Sequence, residues 1–457
     1  MPGPTSPVRS SWELSRGALL AQVRDRLELL NARQRTALSP SYYRHVKQVI
    51  VVASSPRGGS SVITELLRRR APQFLQPSGE TVPHLTLAGL RYPDGAVGSD
   101  RLDGSTPSAA VEYVRASIGR ELGFRRRWLD AATRDRFALD LTSRLTMQWP
   151  GERFEVTEID QYVKAAFTDL VAGHGWNTGE FRDAQAFHVA FLRRLCADRP
   201  RIDPLYYDWT LTSLERYWAG LPVPHGPPGD VLVEMPPFLL TWPRRPVTAG
   251  DVDRLPLLLK TSSDAYRLDF IRRLFPHSDM RIVHLVRHPA ACVNGLIEGW
   301  LHRGFFAVRV PDRVLAIAGY TDEHPSWGRS WWKFDLPPGW ERMTDRPLPE
   351  VCAFQWAAAH DSIREYLAHT GADHFRVRFE DLEPALLGGS LPGPFVEWLI
   401  SGNGCAVAAS GAPMEPVMAT AKPDPQRWRA RRAIIEPVLA DRRVSKLARA
   451  FGYDITA

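Results

Sequence analysis

The stretch that most restricts this 457-residue chain is an apolar run that passes through a glycine turn straight into a helix. Val49-Ile50-Val51-Val52-Ala53 is unbroken and β-branched, the pattern of a strand covered on both faces. Ser54-Ser55-Pro56-Arg57-Gly58-Gly59-Ser60-Ser61 follows, and then Val62-Ile63-Thr64-Glu65-Leu66-Leu67-Arg68 takes up helical spacing. Such a unit belongs in an α/β sheet, where the turn sits at the carboxyl edge of its strand. Glycines let the backbone bend sharply, the first N–H groups of the helix point outward, and Arg57 with the Ser60 and Ser61 hydroxyls adds charge and donors. Sulfate and phosphate groups suit that cradle. The loop differs from the ordinary nucleotide triphosphatase pattern, which needs lysine after its second glycine; here Ser60 follows Gly59.

A second signal lies far along the chain. Met280 to Val286 reads as a buried strand, ends in Arg287-His288-Pro289, and leads into a helical stretch from Ala290 to Trp300. Pro56-Arg57-Gly58-Gly59-Ser60-Ser61 resembles the phosphosulfate loop of sulfotransferases that use 3′-phosphoadenosine-5′-phosphosulfate (PAPS), and the strand-Arg-Pro-helix unit resembles their 3′-phosphate signature. The resemblance covers roughly 47–70, 255–300 and 350–457, where Arg378-Phe379-Glu380-Asp381-Leu382 is a further landmark. It implies an α/β fold of the P-loop-like sulfotransferase type with a parallel central sheet flanked by helices, and PAPS as donor with adenosine 3′,5′-bisphosphate (PAP) as product, without a metal. Ser55, Arg57, Gly58, Gly59, Ser60 and Ser61 would hold the 5′ side, and Arg287 the 3′-phosphate. One position departs from the family: the serine expected eight residues after the arginine is Gly295, so either the Asn294 amide or Arg287 with backbone alone serves that phosphate.

Sulfuryl transfer further asks for charge on the departing bridging oxygen and a base for the acceptor proton. Arg57 and Lys260 are the natural charges, Lys260 matching the family's strand-end lysine. The histidine that small-molecule sulfotransferases carry two residues later is Ser262 here, so the base lies elsewhere. Gly79-Glu80-Thr81-Val82-Pro83-His84 resembles the Gly-Glu stretch of tyrosylprotein and related bacterial sulfotransferases, which makes Glu80 the first candidate and His84 the second. Lys422 and Arg427-Trp428 resemble the late basic element that folds back over the cofactor. Trp327, Trp331, Trp332, Phe334 and Trp340 can wall an apolar acceptor pocket, form a lid, or pack a proline-rich loop.

Residues 1–46 read as a polar start and a helix striped by Leu20, Val23, Leu27 and Leu30; residues 47–457 form the main domain. Within it, 71–254 is a mainly helical insertion, with helices expected over 108–122, 124–147, 158–173, 180–198 and 208–219, and 301–349 is a Trp-rich excursion. Strands are expected at 257–260, 281–287 and 375–379, and a helix over 350–370. Thr261 to Asp264 supply caps for a helix through Leu268 and Ile271, so that Lys260 and Arg287 end neighbouring parallel strands. The formal charge of +7 favours an anionic ligand, but the arginines are scattered, which speaks against nucleic acid. Four separated cysteines, no leader and no apolar run of membrane length point to a soluble, cytoplasmic protein. The expectation is sulfuryl transfer to a hydroxyl, or an amine, of a small molecule such as a secondary metabolite. A P-loop nucleotide kinase and a non-catalytic PAP-binding protein are the competing readings.

Overall fold

Four apolar runs assemble into one parallel sheet. In the computed structural model, which describes residues 11–34, 38–220, 224–229, 231–261 and 263–455, these are β1 (Gln48–Ala53), β2 (Leu257–Lys260), β3 (Asp279–Val286) and β4 (His374–Arg378). Their order is β2-β1-β3-β4. Val52 pairs with Lys260 on one side and with Val283 on the other, and Val286 pairs with Arg378. Contrary to the expectation from sequence, the strands that lead to Lys260 and Arg287 are therefore not neighbours. β1 runs between them, so the two cations bracket the turn that follows β1.

Helices cover both faces. In chain order the principal ones are α1 (Ser11–Arg33), α2 (Ser60–Arg70), α3 (Ser108–Glu121), α4 (Ala131–Gln148), α5 (Val156–His174), α6 (Ala184–Asp198), α7 (Leu268–Leu274), α8 (Pro289–Leu301), α9 (Leu348–Thr370), α10 (Arg432–Leu439) and α11 (Arg442–Ala450). Alternate strand residues point to opposite sides. Ile50, Val52, Leu258, Val283 and Leu285 pack with Ile63, Leu66 and Leu67 of α2, whereas Val49, Val51, Leu259 and Ile282 pack with Val114 of α3, Ile271 of α7 and Ile363 of α9. Burial on both faces is why these strands read as continuous apolar runs instead of alternating ones.

The insertion carries its own aromatic core, with Phe137 and Leu141 of α4, Ile159 of α5 and Phe187 and Phe191 of α6 packed around Phe181 and Phe238. Its two ends are tied together: Leu75 N–H donates to the Pro256 carbonyl and Leu258 N–H to the Leu75 carbonyl, each over 2.9 Å. Leu20, Val23, Leu27 and Leu30 of α1 bury against Leu87, Leu139, Met147 and Val233, and Arg16 pairs with Asp94 at 2.7 Å. Residues 1–10 lie outside the described residues.

Two local expectations are corrected. Residues 123–125 form a short strand against Arg244–Pro246, and the helix expected from 124 starts only at Ala131, where Asp130 accepts from Thr133 N–H. Thr261 to Asp264 do not cap α7: a 3₁₀ turn at 264–266 intervenes, Ser263 Oγ donates to Asp100 Oδ2 at 2.9 Å, and Ser262 lies outside the described residues. Asp100, buried with Arg91 and Arg267, needed that donor more than the helix needed a cap. No helix among the described residues is long and apolar enough to cross a membrane, and all four cysteines are free.

Candidate functional site

The turn after β1 works only with glycine at both positions. A Cβ at Gly58 would fall 2.1 Å from Ser54 Oγ and 2.8 Å from the Ser55 carbonyl. Gly59 has φ +99 and precedes α2 without a capping side chain, and a Cβ there would fall 2.3 Å from the Phe379 ring. The first N–H groups of α2 are thus presented by backbone alone, in a cradle that side chains would fill. Gly59→Ala should lower unfolding stability by about 3 kcal/mol through left-handed strain and the ring clash, read as a shift of the urea midpoint.

Arg57, at φ +60, continues that curvature and turns its guanidinium across the turn, Nη1 donating to the Met418 carbonyl at 2.7 Å and Nη2 to Thr420 Oγ1 at 3.2 Å. Burial, with Arg287 beside it, pulls its pKa down to about 10, so it stays charged at neutral pH. Arg287, just past the end of β3, donates from Nη1 to the Arg57 carbonyl at 3.1 Å, with its Cζ 4.5 Å from the Phe379 ring centre. Phe379 therefore wedges between Gly59 and Arg287. Behind it Glu380 accepts from His288 N–H at 2.9 Å and from the Tyr453 hydroxyl at 2.7 Å, fixing the start of α8. Ser55 Oγ faces Cys292 Sγ at 3.4 Å.

On the other side of β1, Lys260 Nζ donates to Ser61 Oγ at 2.8 Å and pairs with Glu80 Oε1. These three side chains line a cleft of about 880 Å³ whose other walls come from α2, the insertion, Phe306 and residues 415–418. Around it Glu65 holds Arg68, Arg69 and Arg125 together; burial works against its charge, but Arg125 and Arg68 hold its pKa down to about 2. His84 does not line this cleft. Its Nε2 meets Glu121 Oε1 at 2.9 Å, and Glu121 also binds Arg144 at 2.7 Å, so the ring is engaged in a buried ion network.

The aromatic cluster is core. Trp332, Phe334 and Trp340 are buried with Trp300 and Trp356, and Trp331 packs on Leu232 and Ala307, with Trp327 partly buried against both groups. Of the 301–349 stretch only Phe306 reaches the cleft, where the aromatic wall is instead Trp209, Tyr217 and Trp242 from the insertion.

The Asn294 amide is already engaged, donating to Glu298 Oε1 at 3.0 Å while its oxygen accepts from Arg431 at 2.7 Å. Gly295 lies beside Arg57, where a Cβ would stand in ordinary contact at 3.4 Å from Arg57 Cβ. The late basic element does return to this edge of the sheet, but its Arg427 is paired with a carboxylate of α8. Arg427 binds Glu298 and the Lys422 carbonyl, and Trp428 stacks on His288 at 6.2 Å and 19°. Met418, Thr420 and Phe379 were missed by sequence reasoning. Only the Arg-Phe-Glu-Asp-Leu phrase carried a signal, and it marked a landmark without a role.

Among the described residues no cluster of three or more histidine, cysteine or carboxylate side chains is arranged to hold a metal ion. The chain matches no family model, and no curated protein or solved structure shows significant similarity to it.

Proposed function

We propose that the protein is a PAPS-dependent sulfotransferase with a P-loop-like sulfotransferase fold, acting on a hydroxyl of a small molecule. The observation that carries this reading is the meeting of Arg57 and Arg287 over one glycine turn at the carboxyl edge of β1, with Lys260 on its other flank at the mouth of a large cleft. Two guanidinium groups and a helix start can take the two ends of a bisphosphorylated adenosine, while Lys260 stands where the sulfuryl group would leave.

In this reading the α2 N–H groups, Ser60 and Ser61 hold the sulfuryl oxygens, and Arg57 the 5′-phosphate. The acceptor oxygen, lying in the cleft, forms its bond to sulfur as the bond from sulfur to the bridging oxygen breaks. Its proton passes to Glu80, and PAP leaves carrying the electron pair of the broken bond, its charge met by Lys260. In this reading the Lys260–Glu80 contact holds the base beside the charge that meets the leaving oxygen.

Calorimetric titration tests the donor site without knowledge of the acceptor. PAP should bind, and AMP, lacking the 3′-phosphate, should bind at least ~10-fold more weakly. Preference for ATP with Mg²⁺ over PAP would instead favour the kinase. Glu80→Gln should lower PAP release from PAPS by ~100-fold while PAP affinity holds; near-normal turnover would remove Glu80 from the role.

A further inference from the structure

A second carboxyl, Asp208, lines the same cleft as Lys260 and Glu80. Its backbone is held from both directions: its N–H donates to the Phe238 carbonyl at 2.9 Å and its carbonyl accepts from Gln185 Nε2 at 3.0 Å. The residues beside it are buried and anchored, Tyr207 through a hydrogen bond from Trp149 Nε1 and Trp209 through one to the Pro204 carbonyl. Yet among the described residues the Asp208 carboxyl itself takes part in no hydrogen bond or ion pair. Three other carboxyls lining the cleft differ: Glu65 binds three arginines, Glu234 binds Arg144 and Glu80 binds Lys260. The carboxyl is partly exposed to the cleft on a backbone fixed at both its N–H and its carbonyl, so an acceptor that no protein donor engages stands open to a donor that a ligand supplies.

We infer that Asp208 reads the acceptor by accepting a hydrogen bond from a second donor group, a hydroxyl or ammonium, on the molecule whose hydroxyl is sulfated. The inference rests on the sulfotransferase reading above and adds the substrate class: diols and amino alcohols in preference to compounds with one hydroxyl. A ligand lacking the second donor would displace water from this carboxyl and leave it unpaired, which penalises that ligand. The charged groups facing Asp208 are Lys260 of β2, Glu65 of α2 and Glu80 of the loop between them. Burial raises the Asp208 pKa to about 7, with Lys260 opposing and Glu65 and Glu80 adding to it, so the charged acceptor form grows in as pH rises through neutrality.

The test compares matched probes, 2-naphthol against 2,3-dihydroxynaphthalene and cyclohexanol against 2-aminocyclohexanol, by PAP release from PAPS. The wild type should favour the second member of each pair in kcat/KM by roughly 10- to 100-fold beyond the statistical factor, more so at pH 8 than at pH 6. Asp208→Leu should bring the ratio near unity with PAP affinity intact, which also shows that the variant folds. Asp208→Asn, uncharged but still an acceptor through Oδ1, should keep part of the diol preference and lose its growth with pH. An Asp208→Leu protein that binds PAP and keeps the full ratio overturns the inference, as does a wild type that binds PAP but shows no preference or sulfates none of the probes. A wild type that fails to bind PAP removes the sulfotransferase reading itself.

Discussion

Alanine at position 57 or 287 is expected to weaken PAP binding by at least ~100-fold in each case, since a guanidinium that makes two charge-assisted hydrogen bonds contributes about 3 kcal/mol or more. On the proposed reading the two arginines serve opposite ends of the ligand, and they touch each other through the Arg57 carbonyl, which accepts from Arg287 at 3.1 Å. Losing Arg287 therefore also frees the turn, and the double variant should lose less than the sum of the two singles. Arg57 is held by the Met418 carbonyl and Thr420 rather than by a carboxylate, so no buried negative charge is stranded when it is removed, and thermal unfolding should move little. Calorimetry with PAP on the three variants decides the matter. Losses below tenfold at both positions would mean that neither guanidinium meets a phosphate.

Lys260→Met is expected to lower turnover by ~10³-fold while changing PAP affinity far less, because a charge aimed at the departing oxygen acts chiefly in the transition state. The ammonium joins Ser61 at the start of α2 to Glu80. On the proposed reading its loss removes the leaving-group charge and lets the base drift, and both effects fall on the chemical step. Single-turnover release of PAP measures this directly; the expectation fails if turnover and PAP affinity fall together. Because methionine keeps the length of the stem, packing at the end of β2 should survive.

The parts of the molecule dictated by local pattern were legible in the sequence. Val49 to Ala53 and Met280 to Val286 could only be doubly covered strands, Gly58-Gly59 could only be a tight turn, and Gly371, at φ +64, ends α9 where expected. Sheet order was not legible, because the β2–α7–β3 unit reads the same whether its strands touch or straddle a third. The fates of single polar groups were hidden for the same reason. His84 met Glu121, Asn294 met Glu298, and Ser263 met Asp100 across separations of 37, 4 and 163 residues. Only the pairing within α8 had a spacing that sequence could suggest. The tryptophans left pocket, lid and packing open because an aromatic-rich loop looks alike whether its rings face a ligand or each other; packing is the one the core shows.

The hydrogen-bonded neck at Leu75, Pro256 and Leu258 gives the molecule a seam. Everything proposed to grip the adenylate comes from the sheet and its turns, whereas most of the wall around the incoming nucleophile, Asp208 included, arrives in one excursion that leaves and rejoins at that seam. Chimeras cut there that keep Glu80 and the α3 side chains packed on the sheet would, on the proposed reading, exchange the rest of that wall, so that what is modified could be re-specified by grafting while the adenylate grip and the base stay in place.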